Sequence, residues 1–173
     1  SLNLYAYKQQ QLSQLMKNPG TGTRGKIGIP MVLNMYELLP FWHAFFTNLG
    51  FQVIVSPFSN RKLYQAGQGS IPSDTVCFPA KLTHGHIMAL LKKDVDAIFY
   101  PCMSYNIDEG LGDNHYNCPV VAYYPEVLAG NIRELENTKF IYEYLNLEQR
   151  KDFVRLMPKI MQKYYPDLKT ADI

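Results

Sequence analysis

Apolar positions along the chain switch between short runs with strand character and the three-to-four spacing of helices, with Gly, Pro and Asn at the joins. Residues 1 to 17 mix Leu4, Tyr5, Tyr7, Leu12, Leu15 and Met16 with Lys and Gln, which suits a helical or partly ordered lead-in. Asn18 to Gly25 (NPGTGTRG) reads as a linker. A strand is predicted over Lys26 to Ile29, then a helical segment through Phe41, Trp42, Phe45 and Phe46 that ends at Gly50, a residue suited to a left-handed cap. Its start has two readings: Asn34 caps it and Pro40 bends it, or the main helix opens at Pro40 in the favoured first-turn position, which is preferred. A second strand covers Phe51 to Ser56, and a short helix runs from Asn60 to Ala66, closed by Gly67. After a loop with Ser70, Pro72, Ser73 and Cys77 come a helix from Pro79 to Lys93 and a third strand, Asp96 to Tyr100. A fourth strand is predicted at Val120 to Tyr124, with helices at about 126 to 137 and 147 to 164.

Strands alternating with helices at this spacing predict βαβ units. The expected fold is α/β, a three-layer sandwich with a mainly parallel sheet, flavodoxin-like or Rossmann-like. Residues 1–25 form the lead-in and linker, and 26–173 a single α/β domain. The 18 residues from Cys102 to Pro119 carry Gly110, Gly112, Asp113 and Asn114 without helical period; a loop of that length in a compact domain is usually functional or disordered.

Composition narrows the function classes. The 173 residues, 47% hydrophobic, are enough for one substantial core. Seventeen basic and 15 acidic side chains leave a net charge of +2 without long runs, so the basic stripe that nucleic acid requires is not expected. No apolar run has the roughly 18 residues of a spanning helix, and no signal pattern opens the chain. A soluble, cytoplasmic protein is expected. The first residue is Ser, followed by linker composition, which suggests a piece of a larger multidomain protein; a processed N-terminus would look the same.

Gly20-Thr-Gly-Thr-Arg-Gly25-Lys26 matches part of a phosphate-binding loop, but Ile27 stands where Ser or Thr should hold magnesium, and the segment precedes a strand when it should follow one. It is read as a linker. The three cysteines, Cys77, Cys102 and Cys118, are more informative. Each lies at an element boundary, with Pro79, Pro101 and Pro119 close by, where proline stiffens the turn and removes a competing amide. A thiol beside a helix N-terminus is shifted toward thiolate, the form that binds metal. Three cysteines cannot all pair, so reduced thiols are expected. Spacing alone leaves small buried hydrophobes as an alternative.

The segments Lys26-Ile-Gly-Ile-Pro-Met-Val-Leu-Asn-Met-Tyr-Glu37, Pro40-Phe-Trp-His43, Ser73-Asp-Thr-Val-Cys77-Phe-Pro-Ala-Lys81-Leu-Thr-His84-Gly-His86 and Phe99-Tyr-Pro-Cys102 resemble the domain of acyl-CoA dehydratase activase-related proteins. These are similar to the 2-hydroxyacyl-CoA dehydratase and benzoyl-CoA reductase systems of anaerobes. The resemblance covers about residues 24 to 137 and is most specific from Cys77 to His86. It implies that Cys77, Cys102 and Cys118 converge to bind a 4Fe-4S cluster, easily lost in air, with one iron open to water or substrate. The implied role is to receive or relay a low-potential electron from an ATP-dependent activase domain or subunit, in the service of acyl-CoA dehydration or reduction. Whether the domain alone is an enzyme stays open. Lys81, His84, His86 and His115 are candidates for supporting positions: Lys81 to offset thiolate charge, His115 as a donor or proton carrier, and His84 and His86 for hydrogen bonding in preference to ligation. His43 is read as a helix residue at the edge of the core. One feature resists: a strand beginning after Cys118 would put that residue at the sheet edge opposite Cys102. The rival reading is a non-catalytic interaction domain of the same fold; a structural zinc site is disfavoured for want of a fourth ligand.

Overall fold

The computed structural model describes residues 3–173, which fall into two compact units, one ending at Phe99 and one spanning Tyr100–Ile173.

In the first unit, β1 (Lys26–Ile29), β2 (Gln52–Val55) and β3 (Ala97–Phe99) lie in the order β2–β1–β3. Both pairings are parallel, with Ile27 opposite Val53 and Ala97, and Gly28 opposite Ile54 and Ile98. Parallel neighbours need crossovers. α2 (Leu33–Asn48) joins β1 to β2, and α3 (Arg61–Gly67) with α4 (Phe78–Leu91) joins β2 to β3. Cross-strand partners share a face, so Ile27, Ile29 and Phe99 look one way and Gly28 and Ile98 the other. α2 covers the first face, where Trp42 and Phe46 meet Phe99 with ring centroids 4.6 and 4.9 Å apart. α4 covers the second, where a Cβ on Gly28 would stand 3.3 Å from Leu90 Cδ2. The expected parallel α/β sandwich is therefore present.

α2 departs from the preferred reading. It begins at Leu33 behind the N-cap Val32 and carries Pro40 inside. Pro40 forfeits one hydrogen bond, but Met35, Leu38, Leu39, Trp42 and Phe46 are buried as one stripe, and burial of five large side chains outweighs it at about 1.5–3 kcal/mol each. The expected cap at Gly50 holds: its φ is 86°, Gly50 N–H donates to Thr47 O and Phe51 N–H to Phe46 O, the paired bonds of a Schellman end. The lead-in forms α1 (Leu4–Lys17), capped by Asn3, whose Oδ1 accepts from Ala6 N–H. The linker is stitched down, with Val53 N–H donating to Pro19 O at 2.8 Å.

The helices α3 and α4 pack backbone against backbone. A Cβ on Gly67 would lie 2.2 Å from Gly85 N, and one on Gly85 2.1 Å from Leu63 O. Both positions exclude any side chain, because the two backbones touch there.

The second unit corrects the fourth strand. Val120 to Tyr124 lie in α5 (Pro119–Asn131), with Cys118 as N-cap and Pro119 at its start. The capping position and the N1 proline outweigh the β-branched pair Val120-Val121. The helix expected at 126 to 137 is replaced by the end of α5 and a 3₁₀ turn, Arg133–Asn137. β4 is Lys139–Ile141, followed by α6 (Arg150–Tyr164). Tyr100 N–H donates to Ile141 O, Cys102 N–H to Glu143 O and Leu145 N–H to Cys102 O, so Cys102 sits in a short parallel ladder. The long loop closes on itself through Asn106 N–H to His115 O and Asn117 N–H to Ser104 O, both 2.8 Å.

Gly85→Ala should force the helices apart and cost about 1–3 kcal/mol, lowering the thermal midpoint by roughly 2–4 °C per kcal/mol. Calorimetry checks this; an unchanged midpoint would show that the contact is not tight.

Candidate functional site

Cys77 is the N-cap of α4, exposed, with no side-chain capping bond and Pro79 in the first turn. Cys118 is the N-cap of α5, also exposed, and its Sγ accepts from Val121 N–H at 3.4 Å. Both sulfurs therefore stand at the positive end of a helix, where unpaired amides favour negative charge. The strand that would have set Cys118 at the opposite sheet edge is absent, since Cys118 opens a helix. Cys102 differs: it is fully buried, and burial, with the Glu126 carboxylate adding to it, pushes its thiol up to about 11. Cys102 and Cys118 both act on Tyr100, whose pKa is raised first by burial and then by those sulfurs. The Tyr100 hydroxyl is buried and has no hydrogen-bond partner among the described residues, a donor that the sequence reading missed. Cys77 belongs to the first unit, and Cys102 and Cys118 to the second. No group of three or more His, Cys, Asp and Glu side chains that could hold a metal ion is assembled among the described residues.

The supporting candidates are dispersed. Lys81 Nζ donates to Asp74 O at 2.7 Å and so ties down the loop that precedes Cys77. His115 Nε2 lies 3.5 Å from Asp108 Oδ1 within its own loop. His43, at the core edge, donates from Nε2 to Asn18 O at 2.6 Å.

His84 and His86 flank Gly85, and both are fully buried. His84 Nδ1 meets Ser70 Oγ at 2.8 Å, and Ser70 donates its own hydrogen to Gly67 O at 3.0 Å. His86 is held on both nitrogens, by Ser56 Oγ at 2.6 Å on Nδ1 and Ser59 Oγ at 2.9 Å on Nε2. Ser56 is itself buried and accepts from Met31 N–H at 2.7 Å. Donation of the Ser56 hydroxyl hydrogen to His86 Nδ1 satisfies both groups, whereas a buried hydroxyl hydrogen left unpaired would cost about 1–3 kcal/mol. With Ser56 donating to Nδ1, the relay runs from Met31 N–H through Ser56 to His86, and from Nε2–H to Ser59 Oγ. Burial lowers both imidazoles to about 4, so both are neutral at pH 7. The serines were missed because hydroxyls at a strand end have no spacing signature; Ser56, closing the run FQVIVS, was the available signal.

Residues 26–173 match the family described as the CoA enzyme activase uncharacterised domain, DUF2229. The chain belongs to that family, and its role is related to CoA enzyme activases. No curated protein matches it, and no solved structure does. Among the described residues, no helix is long and apolar enough to cross a membrane.

Both histidines stay neutral in the fold down to about 4, whereas in the unfolded chain they take up protons below about 6.5. The stability present at neutral pH is therefore lost as pH falls from about 6.5 toward about 4. Urea unfolding should show a loss of about 1–2 kcal/mol per histidine between about pH 7 and about pH 5. A flat profile, or imidazole proton resonances of these residues that titrate near 6.5, would contradict it.

Proposed function

We propose that the chain is the iron-sulfur domain of a cytoplasmic CoA enzyme activase system, in which Cys77, Cys102 and Cys118 hold a 4Fe-4S cluster as thiolates. One observation carries the reading: two of the three cysteines cap helices opened by proline, and the third is buried in the unit that also holds an unpartnered tyrosine hydroxyl. That donor set fits a cluster. Val121 N–H already directs a hydrogen bond at Cys118 Sγ, the kind of contact that tunes a ligating sulfur. Cys102 keeps its proton in the fold and would lose it on ligation. Tyr100 would offer its hydroxyl to the negative charge that ligation creates beside it.

A cluster held by three protein thiolates has one iron without a protein ligand, and supplies one-electron chemistry and a Lewis-acidic position. The chain's own contribution is to bind and orient that group, with amide and phenol donors around the sulfurs and Lys81 anchoring the approach to Cys77. ATP-dependent activase domains or subunits would deliver the electron, and acyl-CoA thioesters are the expected substrates.

Anaerobic reconstitution with iron and sulfide should load about four of each per chain and give a paramagnetic signal on reduction, and Cys77→Ser or Cys118→Ser should lower the iron content. A colourless, iron-free chain that keeps its fold would favour the non-catalytic interaction domain.

A further inference from the structure

The relay through His86 ends at the surface, and what it ends on is a cleft. Ser59 is exposed and its Oγ lies 2.9 Å from His86 Nε2; with the proton on Nε2, the Ser59 oxygen accepts and its hydroxyl hydrogen is directed away from the imidazole. Ser59, Asn60, Arg61, Tyr64, Phe78 and Leu82 enclose a hollow of about 310 Å³ between the start of α3 and the first turns of α4. That is at the small end for ligand pockets. One wall is aromatic: Tyr64 and Phe78 have ring centroids 5.3 Å apart, and Phe78 is 57% exposed, an apolar ring that the core does not claim. The only charged side chain on the lining is Arg61, which is exposed and enters no ion pair among the described residues. Asn60 is occupied in capping α3, where its Oδ1 accepts from Leu63 N–H.

These features specify a ligand. A cation and an outward-facing hydroxyl hydrogen both seek an oxygen acceptor carrying negative charge, and a guanidinium favours a planar one. The aromatic and aliphatic wall seeks a small apolar body. We propose that this cleft binds a small carboxylate with a compact apolar body, the carboxylate taking the Ser59 hydrogen and facing Arg61, and the body lying against Phe78, Tyr64 and Leu82. His86 and Ser56 are positioning residues that fix the direction in which Ser59 donates. Anchored through Met31 N–H to the chain after β1, the donor sits beyond the carboxyl ends of β1 and β2, where open parallel sheets commonly bind ligands. The site does not depend on the cysteines holding a cluster.

The probe is phenylacetate, titrated into the whole 173-residue chain and followed by amide nitrogen-proton NMR, with phenylacetamide as the neutral control. Phenylacetate should give saturable shifts at Ser59, Arg61, Phe78 and Leu82, and phenylacetamide should bind at least about tenfold more weakly. Ser59→Ala and Arg61→Gln, both exposed substitutions, should each weaken phenylacetate about tenfold. The ring nitrogens of His86 should show the proton on Nε2. Shifts that do not saturate, equal binding of the amide, unchanged affinity in either variant, or a proton on Nδ1 would each overturn the proposal.

Discussion

The backbone contact between α3 and α4 governs much of the chemistry of the first unit. Gly67 and Gly85 leave no space for a Cβ between the helices, so the two helices approach as closely as backbones can. His84 and His86, on either side of Gly85, then face the elements packed on α4. His84 reaches Ser70 beyond the end of α3, and His86 reaches Ser56 at the end of β2 and Ser59 ahead of α3. A single close approach thus fixes two buried imidazoles, and through them the loops beyond β1 and β2. Each imidazole is kept neutral by burial and is hydrogen-bonded, which is the condition under which a buried polar group is tolerated.

The second theme is the repeated use of cysteine at a helix start. Cys77 and Cys118 occupy equivalent positions on different helices, with extended backbone (φ −61° at both) and a proline in the first turn. Cysteine is a poor cap compared with Ser, Thr, Asp or Asn, so capping alone does not account for it at either place. What the position offers is a sulfur exposed to solvent with amide donors behind it. Cys102 differs, buried in the ladder alongside the segment after β4, in the unit that also holds the Tyr100 hydroxyl, which has no hydrogen-bond partner among the described residues.

How much of this could be read from the amino-acid sequence follows from the range of the interactions involved. β1, β2, α3 and α4 were legible because their signals are local: apolar runs bounded by Gly and Pro, and Pro79 at a helix start. The preferred start of α2 at Pro40 is overturned because the buried stripe runs on both sides of the proline and carries the helix back to Leu33. Val120 to Tyr124, expected as a strand, lie in α5 because Cys118 and Pro119 open a helix there. β4 was missed because three residues, Lys139–Ile141, carry too little periodicity to register. The cysteines were legible as candidates from their prolines. Ser56, Ser59, Ser70 and Tyr100 were not, because their roles depend on partners far away in the chain.

The most direct test of the central claim is joint protection of the three sulfurs. Iron- and sulfide-loaded chain, kept anaerobic, would be treated with iodoacetamide, digested and analysed by mass spectrometry, in parallel with the same sample stripped by a chelator. The account predicts that Cys77, Cys102 and Cys118 are all protected in the loaded chain, and that the exposed pair, Cys77 and Cys118, become reactive together when the iron is removed. Alkylation of Cys77 at the same rate with and without iron, while Cys118 alone is protected, would contradict it.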